Sequence, residues 1–424
     1  MRIMVLTDCF PPLLGGGAAI IAQRLSLAMQ KAGHEIFVFS ICQKEEDAGE
    51  REVDGLRVFF LRDQYNPKWR GWLSLYNRKV LSVLEKHLAD FRPDVVQAHN
   101  IHSYISYACL KLSKKYCRKV FLTAHDVDIF HQDKFFSYID RNNLTIPSSF
   151  NYKLTIIERI KQIKQTKNPF RSLIIKYYLK NVNRIIPVSQ ALEQALKQNG
   201  ITKLRVIHNG IEPGEAVVNA RSLIKERFNI DLAKKIILIA GRFGGLKGGD
   251  LILKYVQEIK KSFSDFVFAI ASDKYQYNEN IFKQAKAMNL SEHLVFTGWL
   301  NYSELRILYS GCDVCFIPSV CFDSFPNDNL EAMSFKKPVV GTCFGGTPEA
   351  VVDGETGYVV NPFNILKVAE KIVELLNNST KAEKMGEAGF RRVKEKFSLS
   401  EQINKYFTVF FEAAINKESN KKPQ

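Results

Sequence analysis

Short apolar runs alternate with helical segments through the first half of the chain. Five runs are rich in β-branched residues and bounded by turn formers, and they predict strands at 2–7, 35–40, 56–61, 94–98 and 120–124. Between the first two, apolar residues recur at helical spacing over 18–31, and Gly33 follows the last of them. Buried strands that alternate with helices are typical of a parallel sheet with crossover connections.

The alternation stops at about residue 130 and resumes after residue 183. The later predicted strands lie at 185–188, 204–207, 236–240, 266–271, 294–297, 313–317, 338–341 and 357–360. Helical patterns separate several of them, around 303–309, 330–335 and 365–376. This second alternating series predicts a second parallel α/β domain, preceded by a polar stretch at 212–220 that suits a linker.

Two α/β domains of similar size predict a ligand cleft between the carboxyl ends of their sheets. We assign residues 1–210 to an N-terminal domain, with a basic amphipathic insertion at about 131–184, and residues 211–397 to a C-terminal domain. A last helix at 398–415 is expected to pack back on the N-terminal domain. The polar tail at 416–424 is expected to be disordered.

The composition narrows the class of protein. The chain has 424 residues, of which 46% are hydrophobic, and a net charge of +16, so it is too apolar for a disordered polyelectrolyte. No apolar run approaches the roughly 18 residues of a membrane span, and Asp8 and Pro11 interrupt the first run too early for a signal peptide. We expect a soluble, basic protein whose partner is a polyanion or an anionic surface.

The cysteines do not suggest a disulfide framework. All eight are scattered along the chain, which favours reduced thiols. Cys312 and Cys315 match the C-x-x-C of zinc and redox sites, but residues three apart on a strand point to opposite faces. The sequence therefore disfavours a metal or redox site at this pair.

A glycine-rich loop at 241–248 follows one of the later predicted strands. It holds four glycines together with Arg242 and Lys247, and such a loop suits a diphosphate at the start of a following helix. An ordinary turn with solvated charges explains the spacing equally well. No G-x-G-x-x-G follows the first strand and no G-x-x-x-x-G-K-[ST] occurs. The sequence therefore lacks the motifs of dinucleotide-binding and P-loop proteins.

A second segment, 319–333, carries two carboxylates eight positions apart. Asp323 is predicted to lie in a loop and Glu331 in the first turn of a helix that begins near Asn329, so both can face one ligand. Carboxylates accept hydrogen bonds from hydroxyl groups, which suits a sugar and a ribose. The alternative is a capped helix start, where acidic residues are favoured without any ligand.

Together these motifs resemble the retaining glycosyltransferases of family 4 (glycosyl transferases group 1), which have the GT-B fold: two Rossmann-like parallel-sheet domains facing across a cleft. The resemblance rests on G-R-x-x-x-x-K-G at 241–248 and on a carboxylate, seven residues and Glu-Ala-Met at 323–333. It continues, in order, at 11–17, 32–36, 94–100, 123–126, 188–189, 209–211, 298–300, 345–349 and 356–357. Two positions depart from the family pattern: Asp323 is usually Glu, and Gln97 replaces the first His of an H-x-H pair.

The resemblance implies roles for residues that match the motifs. Arg242 and Lys247 would bind the diphosphate of a nucleotide-sugar and stabilise the charge on the leaving nucleotide. Glu331 would hold the ribose hydroxyls and Asp323 a hydroxyl of the transferred sugar. His125 would form a hydrogen bond to that sugar near its anomeric carbon. The acceptor would attack from the side of the leaving group, whose phosphate helps to take its proton, so no protein nucleophile is needed.

The remaining implied contacts involve backbone groups and the acceptor. The backbone at Phe325, Pro326 and Asn327 would lie along the sugar and phosphate, and Gly16 and Gly17 would close on them from the other domain. The acceptor-side candidates are His99, Asn100 and Asp126.

We expect no metal and no cofactor other than the nucleotide-sugar co-substrate. Residues 126–128 spell the D-x-D of metal-dependent GT-A transferases, but this tripeptide is common by chance. Arg242 and Lys247 already supply the positive charge that a metal would provide.

The excess of positive charge is concentrated in one part of the insertion. Residues 153–184 contain nine basic residues and one acid, interleaved with isoleucine, leucine and aromatic residues. Basic amphipathic helices of this kind suit an anionic bilayer surface. The equally weighted alternative is two helices whose apolar faces pack on the acceptor domain while their lysines are solvated.

The sequence thus predicts a cytoplasmic, retaining, metal-independent hexosyltransferase, peripheral on the inner face of the cell membrane. It would move a sugar from a UDP- or GDP-sugar to a lipid-linked, lipopolysaccharide or capsular or exopolysaccharide acceptor. One alternative is a catalytically degenerate GT-B protein, because of Asp323 and Gln97. A more distant alternative is a nucleic-acid-binding protein that uses the basic segment, although no motif of that class is present.

Overall fold

The computed structural model describes residues 1–13, 16–132, 135–272 and 276–415. These residues divide into two compact units. Unit 1 takes them from Met1–Asp133, Asn151–Asn209 and Leu399–Gln424, and unit 2 from Lys134–Phe150 and Gly210–Ser398. Each unit has its own parallel sheet and its own hydrophobic core.

The sheet of unit 1 has seven strands in the order β3-β4-β2-β1-β5-β6-β7. They are β1 (Arg2–Leu6), β2 (Glu35–Cys42), β3 (Gly49–Val53), β4 (Leu56–Arg62), β5 (Val95–Ala98), β6 (Lys119–Ala124) and β7 (Arg184–Pro187). Neighbouring strands are parallel except for β3, which pairs with β4 in the antiparallel direction. The sequence did not predict β3, because this edge strand is mostly charged and carries no apolar run.

The sheet of unit 2 has six parallel strands in the order β10-β9-β8-β11-β12-β13. They are β8 (Lys235–Ala240), β9 (Phe266–Ala271), β10 (Leu294–Phe296), β11 (Val314–Ile317), β12 (Val339–Thr342) and β13 (Gly357–Val360). No strand forms at 204–207 as predicted: the segment runs beside β7 with an isolated bridge from Leu204 to Ile185, and the Ile207 N–H donates to the carbonyl oxygen of Pro187 (3.1 Å).

Helices flank both sheets, and one helix returns to unit 1 at the end of the chain. Unit 1 contains α1 (Gly17–Lys31), α2 (Arg70–Leu73), α3 (Arg78–Phe91), α4 (Ala108–Tyr116), α5 (Ile156–Thr166), α6 (Arg171–Leu179) and α7 (Gln190–Gln198). Unit 2 contains α8 (Ala220–Phe228), α9 (Ile252–Lys260), α10 (Gln276–Ala287), α11 (Tyr302–Gly311), α12 (Asn327–Ser334), α13 (Thr347–Ala350), α14 (Ile365–Asn377) and α15 (Ser379–Lys396). The last helix, α16 (Leu399–Ile415), belongs to unit 1. None of the helices described is long and apolar enough to cross a bilayer.

Helix α16 completes the core of unit 1. Its residues Ile403, Tyr406 and Phe410 are buried in the same cluster as the strands of that unit. The Tyr406 hydroxyl lies 2.9 Å from Oγ1 of Thr123 on β6, which ties the helix to the sheet by a buried hydrogen bond. The tail at 416–424, for which we expect disorder, lies outside the described residues.

The predicted insertion at about 131–184 needs correction in its first part. Residues 135–150 belong to unit 2, not to the N-terminal domain. The Phe322 N–H donates to the carbonyl oxygen of Phe135 (2.7 Å), and the Asn361 amide donates to the carbonyl oxygens of Asn143 (2.8 Å) and Thr145 (2.7 Å). These backbone hydrogen bonds are formed with residues about 200 positions away, which no local pattern reveals.

Two smaller expectations also change. Cys312 ends helix α11 instead of lying on a strand, so its sulfur is 3.6 Å from that of Cys315 and the opposite-face argument is wrong. Both remain buried free thiols. The stretch at 212–220 is mostly exposed but is tethered to unit 2, because the Val217 N–H donates to the Ser310 hydroxyl (2.9 Å).

Candidate functional site

In unit 2, the two predicted chemical segments lie side by side. Their loops follow β8 and β11, which are neighbouring parallel strands, so both begin at the same edge of the sheet. The Val320 N–H donates to the carbonyl oxygen of Leu246 (3.1 Å) and joins the two loops. Lys247 forms an ion pair with Asp323, and the Ser319 hydroxyl donates to the same carboxylate (2.8 Å).

Two glycines allow this close approach. Gly248 has φ +85°, and a Cβ there would lie 2.3 Å from the carbonyl oxygen of Pro318. Gly345 has φ +80°, and its Cβ would lie 2.0 Å from the carbonyl oxygen of Asp323. Any other residue would push the loops apart, since both positions combine a left-handed backbone with direct contact to a neighbouring main chain.

The two cations of the glycine-rich loop have different environments. Burial alone would lower the pKa of Lys247, but Asp323, Cys321 and Asp328 together oppose it, and the pKa lies above its ordinary value. Arg242 is exposed and forms no side-chain hydrogen bond or ion pair with the part of the chain that is described. Lys247 is therefore a fixed positive charge, and Arg242 is available for an anion from solution.

Asp328 is a member of this cluster that the sequence interpretation missed. It lies in the first turn of α12, with an oxygen 3.4 Å from where a Cβ of Gly241 would be. Burial and the charge of Glu331 raise the pKa of Asp328 to about 7, against the opposing effect of Lys247. The only signal in the sequence was a third acid between the two that we singled out.

Glu331 lies one turn further along α12 and is positioned by a tyrosine. The Tyr309 hydroxyl donates to Oε2 of Glu331 at 3.2 Å. Tyr309 is buried and stacks on Phe335 with ring centroids 5.5 Å apart, so the donor is fixed in place. Tyr309 therefore positions the carboxylate of Glu331.

The segment before α12 contributes main chain rather than side chains. The ring of Phe325 is buried against Phe397, with centroids 5.7 Å apart. Pro326 precedes the helix, which begins at Asn327 and not near Asn329 as predicted. The Phe325 ring is therefore engaged in packing within unit 2.

In unit 1, two histidines form a hydrogen-bonded pair. His99 follows β5 and His125 follows β6, the neighbouring parallel strand, and Nδ1 of His99 lies 2.9 Å from Nε2 of His125. Burial lowers the pKa of both rings, for His125 to about 4. Both are therefore neutral at pH 7, and one ring nitrogen donates to the other.

A third histidine and two acids complete this cluster. The carboxylate of Asp8 accepts the backbone N–H groups of Ser103 (2.6 Å) and Ile105 (2.7 Å), which fixes the turn that carries His102. Nε2 of His102 lies 3.6 Å from Asp126. The sequence interpretation placed Asp126 among the acceptor-side candidates, but it gave Asp8 no role in a site.

The other unit 1 candidates make simpler contributions. Asn100 accepts the backbone N–H of Asp8 at its carbonyl oxygen (2.7 Å). Gly17 is the first residue of α1, and Gly16 precedes it with φ +155°. Nothing lies within 4 Å of the Cβ position of Gly16. The helix thus starts on open, unhindered main chain.

Comparison with known proteins decides the class. A family model described as Glycosyltransferase Family 4 matches residues 15–215, and one described as Glycosyl transferases group 1 matches residues 220–392. The chain belongs to the group 1, family 4 glycosyltransferases. An uncharacterized glycosyltransferase of Methanocaldococcus jannaschii is 24% identical over 422 residues, which covers 96% of this chain and 98% of that protein.

Solved structures show that this glycosyltransferase has the GT-B fold. Sucrose-phosphate synthase from Thermosynechococcus elongatus matches with a TM-score of 0.77 at 19% identity, covering 98% of this chain and 100% of that one. Anabaena HepE, solved in complex with UDP and glucose, matches with a TM-score of 0.70 at 15% identity, covering 97% and 100%.

The structure explains what one departure of this glycosyltransferase from the family pattern does. Gln97 is buried on β5, and its amide donates to Oγ1 of Thr123 (2.5 Å), which also contacts the Tyr406 hydroxyl. The amide therefore joins two strands and α16 in the core of unit 1. Gln97 therefore has a structural role there.

The second aspartate of the D-x-D tripeptide, Asp128, forms ion pairs within unit 1. The carboxylate of Asp128 is bound by Arg171 and by Arg70, the latter at 3.2 Å. Across the described ranges, no group of three or more His, Cys, Asp or Glu side chains is arranged to hold a metal ion. Asp128 instead fastens helix α6 to the loop after β6.

Proposed function

We propose that this glycosyltransferase is a retaining, metal-independent hexosyltransferase that uses a nucleotide-sugar, UDP- or GDP-linked, as donor. The acceptor we propose is a lipid-linked, lipopolysaccharide or capsular or exopolysaccharide glycan, reached from the cytoplasmic face of a membrane. The observation that carries the proposal is the Lys247–Asp323 pair beside the exposed Arg242. The UDP and glucose named for Anabaena HepE support a nucleotide-sugar of this kind.

The site residues divide the work as follows. Lys247 and Arg242 neutralise the diphosphate, whose charge grows as the sugar–phosphate bond breaks. Glu331, positioned by Tyr309, accepts hydrogen bonds from the ribose hydroxyls. Asp323 accepts one from a hydroxyl of the transferred sugar.

The transfer step needs no protein nucleophile. The acceptor oxygen forms a bond to the anomeric carbon on the side from which the nucleotide leaves, and its proton passes to the departing phosphate. For His125, which is neutral and hydrogen-bonded to His99, we propose the hydrogen bond to the transferred sugar that the family resemblance implies. The configuration of the anomeric carbon is retained.

A donor panel tests the proposal. UDP-, GDP- and ADP-sugars are compared by thermal shift, because a ligand that binds only the folded state must stabilise it. Lys247→Ala is then compared with Lys225→Ala, an exposed lysine of α8, by calorimetric titration. We expect the first variant to lose about tenfold or more in donor affinity, roughly 1.4 kcal/mol, and the second to bind as wild type does.

The remaining claims have their own readouts. The anomeric configuration of the product is read by NMR, and turnover is measured with and without EDTA. Equal donor affinity in Lys247→Ala and Lys225→Ala would overturn the diphosphate assignment. An inverted product, or loss of turnover in EDTA, would overturn the mechanism. Donor binding without turnover on any membrane extract would instead support a catalytically degenerate protein.

A further inference from the structure

Helix α5 exposes its apolar side chains to solvent. Ile156, Ile157, Ile160 and Ile163 are 77%, 67%, 49% and 40% exposed. At 3.6 residues per turn these four positions share one face of the helix. Isolated exposed apolar residues are ordinary, but a stripe of four isoleucines is the kind of patch that marks an interaction site.

The opposite face of α5 is polar and packs on unit 1. Gln162 accepts the backbone N–H of Gln132 (2.9 Å), and its amide nitrogen lies 3.0 Å from Nε2 of His131. Thr166 is buried. The polar face of α5 therefore meets the protein and its apolar face meets solvent. In a helix packed on a core the apolar face points inward.

This orientation corrects half of the packed-helix alternative raised from the sequence. On α6, Ile175 and Leu179 are buried, as that alternative predicts. On α5 the isoleucines point outward. A capping box between Thr155 and Glu158 starts the helix, so it is a formed helix with an exposed apolar face.

Two exposed tryptophans lie on or next to α2, which contacts the C-terminal end of α5. Trp69 is 61% and Trp72 43% exposed. They lie next to and on α2, which is locked to α5: a Cβ on Gly71 would lie 1.9 Å from the carbonyl oxygen of Thr166. The Trp72 indole N–H donates to the carbonyl oxygen of Lys167 (3.1 Å). The docking surface, defined here as Trp69, Trp72 and the four α5 isoleucines, therefore belongs to one packed substructure.

The docking surface is surrounded by positive charge. Exposed basic residues on and beside α5 are Lys153, Arg159, Lys161, Lys164 and Lys167. None of them has a carboxylate partner in the described portion of the chain. The single acid of the helix, Glu158, is engaged in its capping box.

We propose that the docking surface binds an anionic lipid bilayer, with α5 lying in the plane of the interface. Isoleucines would enter the acyl boundary, tryptophans would sit at headgroup level, and lysines would reach the anionic headgroups along their aliphatic stems. A nucleic acid would satisfy the cations but leave the isoleucines in water. The proposal goes beyond donor chemistry and does not depend on it.

Vesicle sedimentation of the full chain tests the proposal. Vesicles of phosphatidylcholine with phosphatidylglycerol are compared with pure phosphatidylcholine. Ile157→Ser with Ile160→Ser is matched by a control, Val218→Ser with Leu366→Ser, whose side chains are 81% and 66% exposed on unit 2. We expect the isoleucine pair to lose about tenfold or more in partitioning to anionic vesicles, and the control pair to partition as wild type does.

A charge series complements the apolar one. Lys161, Lys164 and Lys167 are changed to Gln, and the control changes the exposed Lys225, Lys283 and Lys286, so both variants lose three charges. Only the first is expected to lose partitioning. In a Trp299→Phe background the two remaining tryptophans, Trp69 and Trp72, should shift their emission to the blue on anionic vesicles. This readout needs no change in the docking surface itself.

Several outcomes would overturn the proposal. These are equal partitioning to both vesicle types, unchanged partitioning of the isoleucine pair, or an unshifted emission. One outcome would assign the surface to nucleic acid. In that case the wild-type protein does not bind vesicles, the charge variant loses RNA binding, and the isoleucine variant still binds RNA normally. A concentration-dependent dimer that the isoleucine pair abolishes, again without vesicle binding, would assign it to a second copy of this chain.

Discussion

Lys247 and Asp323 form a largely buried ion pair. Their side chains are 24% and 13% exposed, so both charges are largely withdrawn from water. Asp323→Asn should lower the free energy of unfolding by about 1–3 kcal/mol, because Lys247 would be left without its carboxylate. Urea unfolding measures this, with the exposed Asp265→Asn as control. Equal losses in the two variants would show that the pair contributes nothing specific.

Asp328 should make both stability and donor binding depend on pH. This residue is not among the motif residues singled out from the sequence. Its pKa is raised to about 7, so the proton is held more tightly in the folded than in the unfolded chain. The stability this supplies is present at low pH and is lost as the pH rises towards and through 7. The ionised carboxylate should also repel a diphosphate.

Asp328→Asn should therefore remove a pH effect. Between pH 6 and pH 8 we expect wild-type affinity for a nucleotide-sugar to fall while that of the variant stays nearly constant. Calorimetric titration at both pH values measures the difference. If the variant and wild type weaken in parallel, Asp328 is not the titrating group.

At the residue level, the sequence identified site residues that belong to a contiguous motif. Arg242, Lys247, Asp323 and Glu331 could be predicted because each keeps a set distance from a strand or a helix start. Asp8 and Tyr309 could not, since their partners lie on other loops and helices.

At the level of elements, residues 135–150 brace the loop that carries Asp323. Phe135 is 1% exposed and its carbonyl oxygen binds the N–H of Phe322, the residue before Asp323. Phe135→Ala should cost about 3–5 kcal/mol of unfolding free energy, from the loss of a buried ring. It should also weaken donor binding, because the loop loses its support.

The neighbouring residue supplies the control for this prediction. Phe136 is 43% exposed, so Phe136→Ala removes the same number of atoms with little loss of packing. Chemical unfolding and donor titration are measured on both variants. Similar behaviour of the two would mean that this segment does not support the donor loop.

Helix α5 shows how far periodicity can be taken for one element. The spacing of its isoleucines predicts an amphipathic helix, and the structure contains one. Periodicity does not say which face meets the protein. Gln162 and Thr166 decide that, through contacts with residues outside the helix.

For the whole molecule, the last helix completes the first unit. Leu399, Ile403, Tyr406, Val409 and Phe410 of α16 belong to the core of unit 1. Ending the chain before Leu399 should therefore abolish the cooperative unfolding of that unit, measured by calorimetry. Ending it after Ile415 is the control and should leave the transition in place. A transition that survives both truncations would show that unit 1 folds without α16.

The sequence by itself determined the two parallel α/β sheets, the family, and the loops that carry Arg242, Lys247, Asp323 and Glu331. These depend on periodicity and on short spacings, which local backbone geometry imposes. Tertiary structure alone decided that 135–150 joins unit 2, that α5 turns its isoleucines outward, and that His99 meets His125. These three outcomes depend on packing between residues that are distant in the chain. The free-energy differences that decide them are small, are summed over many contacts and leave no local sequence pattern.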